Sequence, residues 1–267
     1  MMVRCEDCGA LYPDAWPADD GAARAIYAGY YTAPRRRCPW RAWFRRLTDW
    51  TRRPYLDRGA PADARTILDY GCGAGDYLAR FADRAGFGTD LIAPETGAVA
   101  FTWLAPGEIG KAAPFDWITL GHVLEHLAEP AAVLARLAAR LAPGGGLWIA
   151  TPNADSFLFT AAGPCARDID FPRHREIFSR RGMERLAAGA GLTCQFASPP
   201  RLNAVLNTAA TVRNILRDSE RGVAVRAGLA LRTLLALAVH LAEARPSRDR
   251  DSPELIAICR RAASDIP

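Results

Sequence analysis

The residues able to do chemistry in this chain are a run of glycines, two acids beside it, and four histidines. His122-Val-Leu-Glu125-His126 fits the pattern H-x-x-E-H, which in some metalloproteases supplies two zinc ligands and a catalytic Glu. Zinc held that way needs a long helix under both histidines and a third protein ligand. Pro130 follows four residues after His126 and starts the next helix, so the pattern is expected to hold no metal. Proton transfer is the other use of such residues. An imidazole with a near-neutral pKa can take the proton from a hydroxyl nucleophile. His122, His126 and His174 are the candidates for a general base, with His174 and His126 ranked before His122. The competing reading makes His122 and His126 buttresses of a turn and His174 a surface residue at a helix start. His240 lies in an apolar helix and is read as structural.

Gly71-Cys72-Gly73-Ala74-Gly75 follows Thr66-Ile-Leu-Asp69-Tyr, an apolar strand ending in an acid. Glycines placed there let the backbone approach a ligand and turn sharply. The spacing G-x-G-x-G differs from the G-x-G-x-x-G of dinucleotide sites, and by itself it is a weak signal. Asp90, after a second short strand, can accept hydrogen bonds from two ribose hydroxyls, which a nicotinamide cofactor would require equally.

The elements that must position these residues alternate. A strand at Thr66–Tyr70 leads through the glycine turn to a helix with Tyr77, Leu78 and Phe81 on its apolar side. Strands at Phe-Gly-Thr-Asp-Leu-Ile and Phe115–Leu120 follow. A helix from Leu127, stopped by Pro143 and the glycines after it, precedes a strand Leu147–Pro152. Alternation of this length predicts an α/β protein with a mostly parallel sheet and helices on both faces. Ligands in such sheets bind beyond the carboxyl ends of the strands.

Taken in order, LDYGCGAG, GTD, FDWITLGHVLEHLAEP and LAPGGGLWIATPN resemble the class I S-adenosylmethionine-dependent methyltransferases. The likeness is to the group that holds the ubiquinone-pathway O-methyltransferases and many sugar and natural-product methylases. It runs from about Tyr27 to Leu192 and resumes at Glu254–Ala262. The resemblance implies a Rossmann-like fold with a seven-stranded sheet and S-adenosylmethionine as cofactor. It assigns Asp69, Gly71, Cys72, Gly73 and Gly75 to the methionine part, and Asp90 with Leu91 to the ribose. Leu120, Gly121 and His122 would line the methyl group, and Tyr30 would cover the cofactor. One departure stands out. Only 24 residues separate Asp90 from Phe115, which is short for the usual second helix, and the adenine contacts stay unassigned.

The implied activity is methyl transfer, most simply to oxygen, on a small-molecule, natural-product or glycan-like acceptor. Carbon- or nitrogen-directed transfer and a non-catalytic partner subunit of the same fold are the alternatives, and a nicotinamide oxidoreductase is the competing class. The formal charge of +5 rests on arginine, since Lys111 is the only lysine, and Arg35–Arg37 is the only three-residue basic run, so no nucleic-acid partner is expected. Scattered cysteines and a polar start suggest a reducing cytoplasm.

Four regions are read. Residues 1–60 carry Cys5-x-x-Cys8, which resembles one knuckle of a zinc ribbon but lacks a partner pair, and a cofactor-covering helix. Residues 61–200 are the cofactor-binding core. Residues 201–250 are a helical insertion, and 251–267 hold the last strand. In the insertion, Leu231, Leu234, Leu235, Ala238 and Leu241 fall on one helical stripe. Packing inside the protein or in a homodimer is the favoured use of that stripe; peripheral membrane contact through 223–242 is the alternative.

Overall fold

The structure is a computed structural model, and it describes residues 2–14, 55, 57–93, 101–112, 114–171, 173–243 and 250–262. Tyr27, Tyr30, Tyr31 and Cys38 lie outside the described residues. The chain divides into two compact units: residues 54–151, 181–197 and 256–267 form one, and residues 1–53, 152–180 and 198–255 the other.

The first unit is built on a seven-stranded sheet. Its strands are β3 (Thr66–Tyr70), β4 (Ala85–Thr89), β5 (Thr102–Trp103), β6 (Phe115–Gly121), β7 (Leu141–Pro152), β8 (Leu192–Ala197) and β9 (Glu254–Arg261), in the order β5-β4-β3-β6-β7-β9-β8. The pairs β3–β4, β3–β6, β4–β5 and β6–β7 are parallel, whereas β8 and β9 are antiparallel. Strand order reverses between β3 and β6, the place where an open α/β sheet leaves a crevice. β6 is buried along almost its whole length, as its apolar run Phe-Asp-Trp-Ile-Thr-Leu demands of a strand covered on both faces. Ile67, Trp117, Trp148, Ala150 and Ile256 form the core of this unit with Tyr77 and Leu78. The indole N–H of Trp117 donates to the Arg58 carbonyl at 2.9 Å, so the largest core side chain buries no unsatisfied donor. Helix α1 (Pro130–Ala138) opens with proline in its first turn and buries Val133, Leu134, Leu137 and Ala138.

Three local expectations change. The helix after the glycine turn is a single 3-10 turn, Leu78–Phe81. The connection from Tyr70 to Ala85 has 14 residues, and the glycine turn uses five of them. Helix α1 ends at Ala138 rather than at Pro143, because β7 begins at Leu141 and takes Pro143 to Gly146 into its irregular start. There the ring of Trp117 fills the space that a side chain at 146 would need. Cys194 and Cys259 face each other directly in the β8–β9 register and form a disulfide. The expectation of a reducing compartment did not anticipate this pair; their separation of 65 residues hides it in the sequence.

The second unit carries a hairpin of β1 (Met2–Arg4) and β2 (Leu11–Pro13) and the helices α2 (Phe157–Ala162), α4 (Arg201–Arg217) and α5 (Val223–Ala242); α3 (Arg180–Gly189) falls almost wholly in the sheet unit. The Ser156 hydroxyl caps α2 by accepting from the Leu158 N–H at 3.1 Å. The loop of the hairpin holds the Cys5 N–H to the Ala10 carbonyl and the Gly9 N–H to the Cys5 carbonyl, both at 2.8 Å, and leaves both thiols unoxidised. Phe157, Leu158, Ala162, Ala204, Ile215 and Ala230 form this unit's core. The stripe expected to pack inside the protein or in a homodimer is not the face that packs within the chain among the described residues. Ala230, Thr233 and His240 are buried, with Leu229, Ala236 and Leu237 partly so, while Leu231, Leu234 and Leu235 are exposed. Small and polar residues let α2 and α4 approach closely on that side. His240 stacks on Phe157 at 4.7 Å and is 2.8 Å from Asp251, which explains a histidine inside an apolar helix.

Candidate active site

Asp69 organises the site. Its place near the end of β3 puts it in the sheet interior, at 1% exposure. One carboxylate oxygen, Oδ1, accepts from the Thr119 hydroxyl of β6 at 2.7 Å and from Arg58. Arg58 also donates to Thr119 Oγ1 at 2.9 Å, and its guanidinium lies 4.2 Å from the centre of the Tyr77 ring. The other oxygen, Oδ2, is buried and has no hydrogen-bond partner among the described residues. Burial pushes the Asp69 pKa upward, opposed by the Arg58 charge and by the hydrogen bonds from Thr119 and Arg58. A buried oxygen left without a donor is costly, and a cationic ligand group would satisfy it.

The chain leaves β3 through Gly71, whose N–H donates to the Thr89 carbonyl at 2.7 Å. Gly71 has φ +84, and a Cβ there would run into Val123. Only glycine satisfies both constraints. Asp90 ties the turn to the end of β4: its two oxygens accept from the Gly73 N–H at 2.8 Å and the Leu91 N–H at 2.7 Å. Cys72 turns its thiol inward, and burial followed by the Asp69 charge pushes its pKa up to about 12. It is therefore a packing residue that offers its backbone. Leu120 is fully buried and Leu91 exposed. A Cβ at Gly121 would stand 3.0 Å from the Arg58 guanidinium, which places this glycine beside the Asp69–Arg58 pair.

His122 follows β6 with φ +56, an uncommon conformation for a residue other than glycine. Its N–H donates to the Ala150 carbonyl at 2.8 Å. Its Nδ1 lies 3.4 Å from Oε1 of the fully buried Glu125, whose Oε2 accepts from the Thr151 hydroxyl at 3.0 Å. Glu125 is not near His122 alone: an atom of its carboxylate and a ring nitrogen of His126 also lie within 4.8 Å of each other. His126 ends a 3-10 turn, Leu124–His126, while His122 stands outside that turn, so the two do not share a helical face as H-x-x-E-H metal sites require. His174 belongs to the other unit. Its Nδ1 is 2.7 Å from the Asp168 carbonyl, which fixes Nδ1 as the donor and makes Nε2 its basic nitrogen.

The residues fit the cofactor that the sequence resemblance implies: a buried carboxylate oxygen with no donor among the described residues for a cationic group, a glycine turn open at Gly73, and an acid at the next strand end. Sequence reasoning missed Arg58, Thr119 and Thr151. Thr119 and Thr151 are hydroxyl positions inside largely apolar strands, a usable signal; Arg58 sits in an irregular loop with none.

The sheet order and its antiparallel last pair, with the glycine turn on the strand beside the order reversal, define a class I methyltransferase fold. The chain belongs to the methyltransferase domain family, whose pattern matches residues 33–195. It is 30% identical over 127 residues to the ubiquinone biosynthesis O-methyltransferase of Paracidovorax citrulli, covering 41% of this chain and 53% of that protein. It is 35% identical over 114 residues to the enzyme of the same name from Caulobacter vibrioides, covering 35% of this chain and 43% of that one. The chain thus spans about half the length of the curated relatives it matches. Its fold is similar, with a TM-score of 0.53 and 17% identity over 97% of each chain, to the Burkholderia thailandensis 1,6-didemethyltoxoflavin-N1-methyltransferase with bound 1,6-didemethyltoxoflavin and S-adenosylhomocysteine.

Proposed function

We propose that this chain is an S-adenosylmethionine-dependent methyltransferase acting on a hydroxyl of a small-molecule, natural-product or glycan-like acceptor. The observation that carries the cofactor reading is Asp69 Oδ2, a buried carboxylate oxygen beside the glycine turn with no donor among the described residues. When bound, S-adenosylmethionine supplies an electrophilic methyl group on a sulfonium. Asp69 would take the cofactor's ammonium group, the Gly71–Gly75 backbone would lie against its methionine part, and Asp90 would accept from the ribose hydroxyls. Tyr30 is kept as the covering residue on the sequence resemblance alone.

The chain's remaining task is to align the acceptor and remove its proton. His122 is the first choice for that base. Glu125 Oε1, 3.4 Å from its Nδ1, would stabilise the imidazolium formed when the ring takes a proton. His126 and His174 follow. The names of the relatives support oxygen as the methylated atom; transfer to nitrogen or carbon uses the same cofactor site and differs in needing less of a base. Calorimetry with S-adenosylhomocysteine, then transfer of labelled methyl to a panel of catechols, phenols and sugar nucleotides, tests the reading. Lack of binding would refute the cofactor site. Binding with no transfer to any acceptor would favour a non-catalytic partner subunit.

A further inference from the structure

Four described cysteines are reduced, and two of them, Cys72 and Cys165, are buried. Burial pushes the thiols of both above the ordinary range, which makes them inert. Cys5 and Cys8 are half-buried and reachable. They stand in the turn of the β1–β2 hairpin, where Gly9, at φ +76, reverses the chain straight after Cys8. The turn makes the two thiols unequal. The Cys5 sulfur accepts from the Cys8 N–H, from the Cys8 thiol and from the Asp7 N–H, and these bonds hold its pKa below that of an ordinary thiol. Cys8 is the sheltered partner: burial pushes its pKa up, opposed by the Ala10 N–H. Its carbonyl accepts from the Ser179 hydroxyl, which fixes that side of the turn. One sulfur is therefore a reachable nucleophile, and the other lies in contact with it and keeps its proton.

A structural zinc would take four ligands, and among the described residues no third Cys, His, Asp or Glu gathers with this pair. Two contacting thiols, one reachable and one sheltered, are instead the arrangement that exchanges with disulfides. We propose that Cys5 and Cys8 form a thiol–disulfide exchange site for a low-molecular-weight disulfide, R–S–S–R. The Cys5 sulfur attacks one sulfur of that molecule, forms a Cys5–S–S–R bond and breaks the R–S–S–R bond, expelling one thiolate. The Cys8 sulfur then gives up its proton and attacks the Cys5 sulfur, which forms the Cys5–Cys8 bridge and expels the second thiolate. Two electrons and the two protein thiol protons pass to the small molecule, which leaves as two R–SH.

The experiment holds the full chain in glutathione buffers of rising disulfide fraction, quenches with acid and digests with trypsin. Cleavage after Arg4 and Arg24 leaves one fragment, residues 5–24, that carries both cysteines and no other. Its mass should fall by two hydrogens as the disulfide fraction rises and return when reduced glutathione is restored. Cys8→Ser should accumulate a mixed disulfide with glutathione on Cys5, and Cys5→Ser should form one on Cys8 ~10-fold or more slowly. Alkylation of the wild type by iodoacetamide, read in the same fragment, should mark Cys5 before Cys8 and needs no variant. Three results would overturn the proposal: no bridge at any buffer ratio, equal reactivity of the two thiols, or a bridge that joins two chains instead of Cys5 to Cys8. Zinc bound at one ion per chain and blocking both thiols would make the turn a metal knuckle and overturn it too.

Discussion

Replacing Asp69 by Asn separates charge from shape at the centre of the site. The amide fills the same volume, and its oxygen can still accept from the Thr119 hydroxyl now 2.7 Å from Oδ1. What disappears is the negative charge that faces Arg58 and that would meet a ligand ammonium. A charge-assisted hydrogen bond contributes ~1.5–3 kcal/mol, so S-adenosylhomocysteine, which keeps the ammonium group, should bind ~10–150-fold more weakly. The pH dependence has a definite sign. Burial raises the pKa of Asp69 in the folded protein. Its contribution to stability is therefore fully present below the unfolded value of ~3.9 and is lost as pH rises through the folded value. Ligand binding runs oppositely: a cation favours the ionised carboxylate, so affinity should climb as pH rises through the folded value and then level off. The Asn variant should lack that climb. Calorimetry across a pH series reads both effects. An Asn variant with wild-type affinity would refute the assignment of Asp69, and an Asn variant with the wild-type pH dependence would show that another group titrates.

Other perturbations probe the rest of the site and fold. Gly71→Ala must adopt φ +84 and displace Val123, so urea denaturation should show a loss of ~2–4 kcal/mol, and an unchanged midpoint would count against the turn geometry. With a hydroxyl acceptor in hand, His122→Ala should lower kcat by ~10²–10⁴-fold. Glu125→Gln should leave the protein folded and lower kcat by less than His122→Ala does, since it removes only the charge beside the imidazolium; wild-type turnover in both variants would pass the role to His126 or His174. Reducing the Cys194–Cys259 bridge opens a loop of 65 residues and should cost ~4 kcal/mol of unfolding free energy, and equal denaturation curves with and without reductant would show that the bridge is absent in solution.

Much of the sheet is legible because its signals are local. Ile67-Leu68 and Trp117–Leu120 are apolar runs long enough to be buried strands, and the glycines mark the turn between sheet and ligand. The missed features are those that depend on registry. Nothing near Cys194 reports that Cys259 stands across from it, and nothing in the loop before β3 reports that Arg58 will fold back onto Asp69. The stripe Leu231-Leu234-Leu235 is a helical pattern, but periodicity gives a face and not its partner. In a helix apolar on nearly every side, the close approach of α2 and α4 selected Ala230, Thr233 and Ala236, whose small side chains let the backbones come near.

Arg58 accounts for a carboxylate buried as deeply as Asp69. A carboxylate at 1% exposure cannot stay ionised unless a positive charge or several donors face it. Thr119 gives one donor. Arg58 gives the charge, and its own position is fixed by the Tyr77 face at 4.2 Å and by the bond from Trp117 to its carbonyl. Arg58 has φ +49, an uncommon backbone conformation that those contacts must hold in place. The pair satisfies Oδ1 and leaves Oδ2, so an arriving ammonium would not have to displace the arginine: it would meet the second oxygen of a carboxylate already oriented. If that is so, Arg58→Met, which keeps an apolar stem over Tyr77 but removes the guanidinium, should lower the ionised fraction of Asp69 and shift the rise in S-adenosylhomocysteine affinity to higher pH. Above that rise the affinity should return toward the wild-type value. A loss of affinity that no pH restores would instead make Arg58 a direct ligand contact, and an unshifted profile would mean that Thr119 and the turn amides alone set the charge of Asp69.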